Sequence, residues 1–223
     1  MNNGIDSVAA LTTFGRERLS DNFFMRDMLY SEVGNLHGVP NIPENPELAL
    51  LAGRQLATKI LEPLTQAFGH IAIRSAYRSP TLNAFCHDLH KSGDVASWCD
   101  CNEQAAAHHI WDRRDAQGFL GATATVVVPS YIDHYERTGD YRSLGWWMRD
   151  NLPDYADILF FRHLGAFNIR WYEGPPTKQI AFADPPLREP LTAIGAPDFE
   201  GDHSSSYAAV IAPLLTRTST CSS

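Results

Sequence analysis

Basic residues are scarce. Lysine and arginine number 18 against 26 aspartates and glutamates, which leaves a formal charge of −8 at pH 7 and a pI near 5.5. With no basic stripe to neutralise phosphates, a nucleic-acid partner is not expected. Long apolar runs are missing too: none approaches the ~18 to 20 residues a bilayer-spanning helix needs, so no membrane partner is expected either. The opening Met-Asn-Asn-Gly-Ile-Asp-Ser-Val lacks the basic-then-apolar order of a secretory signal, and a cytoplasmic location is the expectation that follows.

Cysteine is also sparse. Four cysteines are too few for a disulfide scaffold, although Cys86, Cys99 and Cys101 fall within sixteen positions beside His87 and His90. A Cys-x-Cys spacing lacks the paired Cys-x-x-Cys knuckles of a structural zinc site, so buried or disulfide-linked thiols are expected there.

What is present suits one globular core. A chain of 223 residues with 44% hydrophobic content can bury a sizeable interior. The pattern divides into an N-terminal arm (1–18), a domain (19–184) and a Pro/Ser/Thr-rich extension (185–223). Leu19 to Leu29 offers a short capped apolar helix, and Asn35 to Asn45 is a loop by composition. Asn45-Pro46-Glu47 is a helix start: the Asn side chain can accept from an orphan N–H, and proline costs nothing at the first position. Leu48, Leu51, Ala52, Leu56, Ile60 and Leu64 follow at helical spacing, with a bend or stop expected at Pro63. His70 to Ser75 alternates as a strand and delivers Ser75-Ala-Tyr-Arg-Ser-Pro80 to its end, where Ser79-Pro80 starts another helix. Thr123 to Val128 reads as a buried strand. Two short helices follow it, split at Thr138-Gly-Asp. Asp157 to Phe161 and Ala166 to Tyr172 read as strands, and Lys178 to Phe182 is expected to form a hairpin with the second of these. In the strand ending at Tyr172, Phe167, Ile169 and Trp171 face one way, and Asn168, Arg170 and Tyr172 the other. Only Tyr207 to Leu215 of the extension suggests a helix.

The densest chemistry lies in Gln104 to Pro129, where His108, His109, Trp111, Asp112, Arg113, Arg114 and Asp115 occupy eight positions before an apolar strand. Neutral imidazole and carboxylate are ligands a borderline divalent cation accepts, and a catalytic zinc takes three such ligands and a water. The same charges could instead form a solvated turn.

Taken together, Leu19-Ser-Asp-Asn-Phe, Gly38-Val-Pro-Asn, Leu61-Glu-Pro-Leu, Ile73-Arg-Ser-Ala-Tyr-Arg-Ser-Pro, the His/Asp stretch and Phe167-Asn-Ile-Arg-Trp-Tyr-Glu resemble the M15 peptidases over roughly residues 19 to 183. Those are zinc D-Ala-D-Ala carboxypeptidases and dipeptidases on the Hedgehog/DD-peptidase fold. The resemblance implies an α+β architecture with a central antiparallel sheet flanked by helices. It also implies a metal-dependent hydrolase of a peptide or amide bond in a small peptide-like substrate. By that resemblance Arg78 inherits substrate binding and stabilisation of developing charge, with Tyr77, Arg170 and Trp171 as further substrate contacts. His108 and Asp115 reproduce the family's His-to-Asp spacing. A register on Gly121-Ala-Thr-Ala-Thr125 makes His109 the ligand instead and leaves Thr125 where a carboxylate belongs. The preferred set is His109, Asp115 and Tyr172 around Zn2+, with His108, Asp112 and His163 as alternatives and Fe2+ as another cation such ligands hold. The chain departs from the family at its distal motif: Tyr172 replaces the third histidine, and Ile169 stands where the acidic base is expected. Glu173 is the remaining base candidate, although alternation points it away from Tyr172. The departures leave two other readings open: a metal-dependent biosynthetic enzyme with non-hydrolytic chemistry, and an inactive peptide-binding protein.

Overall fold

A computed structural model describes residues 4–94, 98–184 and 187–219; Cys221 lies outside them. Helices α1 (Val8–Gly15), α2 (Glu32–His37), α3 (Pro46–Leu56), α4 (Glu62–Phe68), α5 (Pro80–Lys91), α6 (Asn102–Ala105), α7 (Pro129–Thr138), α8 (Arg142–Asn151) and α9 (Ser204–Ser219) accompany strands β1 (Ala72–Ser75), β2 (Gly121–Val127), β3 (Asp157–Phe161), β4 (Phe167–Tyr172), β5 (Gln179–Asp184) and β6 (Leu187–Thr192). The strands form one six-stranded, mostly antiparallel sheet in the order β1-β2-β4-β3-β5-β6, so the α+β expectation holds. Among the described residues no helix is long and apolar enough to cross a membrane.

The chain divides into two compact units. The first comprises Met1–Thr58, Ile73–Ala124 and Arg170–Gly174, and the second Lys59–Ala72, Thr125–Ile169 and Pro175–Ser223.

In the first unit, Asn45 caps α3 by accepting from the Leu48 N–H, with Pro46 in the first turn as expected. The helix buries a narrower face than the leucine spacing suggests: Ala49, Ala52, Gly53 and Leu56 are inside, while Leu51 is exposed. The reason is Trp111, fully buried, whose ring lies so close to Gly53 that an added Cβ would sit 3.0 Å from it. A helix meeting a tryptophan at that range presents small residues rather than leucines. Met25, Met28, Tyr77 and Leu82 complete this core. The expected helix over Leu19 to Leu29 contracts to a 3-10 turn, Met25–Met28, and in the arm Ser7 caps α1. Ser79 caps α5 by accepting from the Leu82 N–H. Cys86 of α5 forms a disulfide with Cys99 across a separation of 13 residues, as expected of these thiols.

A π-helical turn, Ala57–Leu61, joins α3 of the first unit to α4 of the second just ahead of Pro63. Proline donates no N–H, so the widened turn absorbs the lost bond and the helix continues to Phe68. Phe68 packs edge-on against Trp147 of α8 at 4.6 Å, and Phe160 meets Phe167 at 5.0 Å.

The expected β4–β5 hairpin does not form. Both edges of β4 are taken, by β2 and β3, so β5 pairs in parallel with β3, Asp157 opposite Gln179. The extension is likewise more ordered than its composition suggests. β6 pairs antiparallel with β5 at the end of the sheet, where a proline such as Pro190 is tolerated. Helix α9 runs from Ser204 rather than Tyr207. His203, just before it, stacks on Trp146 at 4.1 Å and bonds Asp150 at 3.1 Å, which docks the helix.

Candidate functional site: a partly buried arginine beside two histidines

The residues singled out from the sequence, His163 and Thr125 apart, gather in the first unit around a stitched loop. Past α6 the chain turns at Ala107, which holds a left-handed φ of 58°. The His108 and Ile110 N–H groups both donate to the Ala105 carbonyl. The loop is then pinned from two sides: the Arg78 N–H donates to the His109 carbonyl at 2.8 Å, and the Thr123 N–H to that of His108 at 2.9 Å. Arg78 and both imidazoles are thereby held together by backbone bonds.

His109 Nδ1 lies 2.8 Å from the Ala76 carbonyl. A carbonyl only accepts, so Nδ1 carries the proton and Nε2 the lone pair. Burial, aided by the Arg78 charge, drives the His109 pKa down to about 3, so the ring is neutral at physiological pH. His108 is placed differently: its Nε2 accepts from Arg170 Nη1 at 2.9 Å, since a guanidinium has only donors. Arg170 in turn lies over the Tyr172 ring at 4.5 Å, and Tyr172 donates to Asp115 Oδ2 at 2.5 Å. Burial and Asp115 together push the Tyr172 pKa up to about 12.

Asp115 shapes a tight turn, its Oδ1 accepting from the N–H groups of Gln117 and Phe119. Burial raises its pKa, but the bonds from Tyr172 and these amides outweigh that and hold the carboxyl below its usual range. Glu173 closes the same turn, accepting from the Leu120 N–H at 3.0 Å and from Arg114 at 2.7 Å. The Leu120 bond, then Arg114, lowers its pKa, away from the neutral range that suits a general base.

Asp112 and Tyr77 belong to the core. Asp112 Oδ2 accepts from the Glu44 and Asn45 N–H groups and so fixes the entry to α3. Tyr77 is 1% exposed and packs on Trp111, its phenol pushed up by burial and by Asp112. Trp171 is buried at the end of β4. His163 is exposed, in the 3-10 turn His163–Gly165 of the second unit. Thr125, also in that unit, donates its hydroxyl to Asn168 at 2.6 Å.

Asp112 offers a test of charge against hydrogen bonding. Burial raises its pKa above the unfolded value of about 3.9, so its favourable contribution to stability is present below about pH 4 and is lost as pH rises through the folded pKa. Asp112→Asn keeps the acceptor and removes the charge; in urea melts it should match or exceed the parent at neutral pH, by a margin that shrinks toward pH 4. Asp112→Ala leaves two N–H groups unpartnered and should lose about 2 to 4 kcal/mol near pH 4, with a smaller deficit at neutral pH.

Arg78 stands apart electrostatically. Its Nη1 donates to Asn83 Oδ1 at 3.0 Å and to Cys99 Sγ at 2.9 Å, and burial lowers its pKa to about 10, so it stays charged at neutral pH. Among the described residues no carboxylate comes within the 4.0 Å of an ion pair with it; Asp100 and Glu32 act from farther away. Asn83, with no exposed surface, props the group by donating to the Asp100 carbonyl and to Asn102. A helical asparagine such as Asn83 carries no sequence signal of its partner, and nothing in the sequence marks the close approach at Gly121, where an added Cβ would lie 2.1 Å from the Ala107 carbonyl oxygen.

Most of the candidate metal donors are already engaged by other side chains. His109 has the right tautomer, but His108 Nε2 is engaged by Arg170, Asp115 and Tyr172 bond each other, and Tyr172 holds its proton far above neutrality. Among the described residues no three His, Cys, Asp or Glu side chains form a group able to hold a metal ion. No family model, no curated protein and no solved structure matches the chain.

Proposed function

We propose that the chain is a repurposed M15-like protein that binds a small peptide-like ligand by its terminal carboxylate at Arg78. The observation that carries this reading is the guanidinium itself, partly buried, charged and without a carboxylate within ion-pair distance among the described residues. A buried cation is costly unless paired, and an arginine fork matches a carboxylate in two parallel hydrogen bonds. Neutral His109 beside it adds no competing charge. Calorimetric titration with N-acetyl-D-alanyl-D-alanine and its C-terminal amide tests the idea: the free acid should bind at least about tenfold more tightly, the worth of a charge-assisted bond. Equal affinities would overturn it.

A second reading, metal-dependent hydrolysis of the same ligand, is favoured by one observation. The His109 proton sits on Nδ1 against a carbonyl, the arrangement that orients an imidazole Nε2 toward a metal. One zinc or iron per chain by elemental analysis, lost in His109→Ala together with release of D-alanine, would establish this reading in place of simple binding.

A further inference from the structure

Cys99 is both half of a disulfide and a hydrogen-bond partner of Arg78. We propose that the Cys86–Cys99 disulfide is a redox gate on the Arg78 site: oxidised, it leaves the guanidinium charge available to an anion, and reduced, it yields a Cys99 thiolate that neutralises that charge. The gating half rests on the carboxylate-binding reading, whereas the thiolate–guanidinium pair does not.

The argument begins with what holds Cys99 in place. Its carbonyl accepts from His87 Nδ1 at 2.8 Å, and Asn83 Nδ2 holds the next carbonyl, that of Asp100, at 3.0 Å. Asn83 and His87 lie on α5, as does Cys86. Two hydrogen bonds thus fix residues 99 and 100 to the helix independently of the sulfur–sulfur bond. Breaking that bond leaves Sγ beside Arg78 Nη1, 2.9 Å away in the oxidised form. Both cysteines are buried, at 3% and 4% exposure, so the new thiol has little water to solvate it and a guanidinium against it.

The chemistry needs a dithiol reductant. One of its thiolates attacks a disulfide sulfur to form a mixed disulfide, and its second thiol displaces the protein sulfur. The reductant leaves as a cyclic disulfide; two electrons and two protons end on Cys86 and Cys99. Cys99 then loses its proton to solvent, because an adjacent cation lowers a thiol pKa. In the disulfide the same sulfur is a weak neutral acceptor that leaves the arginine's charge uncompensated. The groups acting on the pair are Arg78 in contact, neutral His109, whose carbonyl accepts from the Arg78 N–H, His87 on the Cys99 carbonyl, and Asp100 and Glu32, which act on Arg78 from a distance. Among the described residues, Arg78 is the cation hydrogen-bonded to the sulfur. Such a disulfide persists in oxidising compartments and is reduced in the cytosol, so the gate would read its surroundings.

Cys86→Ser isolates the Cys99 thiol without a reductant. The thiolate ultraviolet absorbance of Cys86→Ser, less that of Cys86→Ser/Cys99→Ser, should titrate at least about one pH unit below the ordinary thiol value of about 8.5 and return to it when Arg78→Gln is added. At pH 8, Cys86→Ser and dithiothreitol-reduced parent should bind N-acetyl-D-alanyl-D-alanine about 10- to 100-fold more weakly than oxidised parent. The double variant, which lacks both the disulfide and the thiolate, should recover. An ordinary midpoint indifferent to Arg78 overturns the pair. A double variant as weak as Cys86→Ser overturns the gate, since the loss would then come from the missing cross-link. Should oxidised parent bind neither acid nor amide, the carboxylate reading fails, and the absorbance titration still decides the pair.

Discussion

Arg78→Gln should abolish carboxylate recognition without harming the fold. Removing one member of a buried charge pair costs about 2 to 5 kcal/mol of binding, and the lower end is already a ~30-fold loss of affinity. In the free protein the sign reverses. The guanidinium sits partly buried without a carboxylate partner among the described residues, so exchanging it for a neutral amide that can still donate toward Asn83 removes a desolvation cost. The variant should therefore melt at or above the parent temperature while losing the N-acetyl-D-alanyl-D-alanine isotherm. These opposite signs separate a binding group from a structural one. An arginine that served the fold would lose stability when replaced and leave the acid-to-amide preference intact, and that result would overturn the assignment. Arg78→Lys should fall between, since an ammonium keeps the charge and gives up the fork.

Gly121→Ala should be the most damaging methyl in the chain. At the first residue of β2 the new Cβ would lie 2.1 Å from the Ala107 carbonyl oxygen and 3.1 Å from that of Trp171, both backbone atoms that cannot swing aside. The strain falls on the left-handed turn at Ala107, which sets the positions of His108 and His109. Forced overpacking of this kind costs at least about 3 kcal/mol, a fall of roughly 6 to 12 °C in melting temperature for a chain of this size. Gly118 provides the contrast: it has a φ of 88° but open space around its Cα, so alanine there meets only conformational strain of about 1 to 2 kcal/mol. Calorimetric melts of the two variants that ranked Gly118→Ala as the worse would contradict the close approach of β2 to the histidine loop.

Much of the local structure was legible because its causes are local. Asn45-Pro46 and Ser79-Pro80 announce α3 and α5 through an oxygen that accepts from an orphan N–H three residues on, and the alternation of Phe167, Ile169 and Trp171 fixes the buried face of β4. The partner of β5 was not legible. Its own residues are equally content beside β3 or β4, and the choice was made by β2, which occupies the edge of β4 from distant sequence. The buried face of α3 is hidden from the sequence for a related reason: leucines outweigh alanines in any periodicity, yet Trp111 admits only the small residues.

The candidate site divides along the same line. Composition, caps, strand faces and the crowding of His108, His109 and Asp115 into one stretch follow from the order of residues alone, since they depend on neighbours within a turn or two. Whether Asp115 faces a cation or the Tyr172 hydroxyl, whether His108 is open or engaged by Arg170, and whether Arg78 meets a carboxylate or a cystine sulfur depend on groups many residues apart. Such pairings are set by the geometry of packing, because hydrogen bonds and ion pairs act over a few ångströms of space and not along the chain.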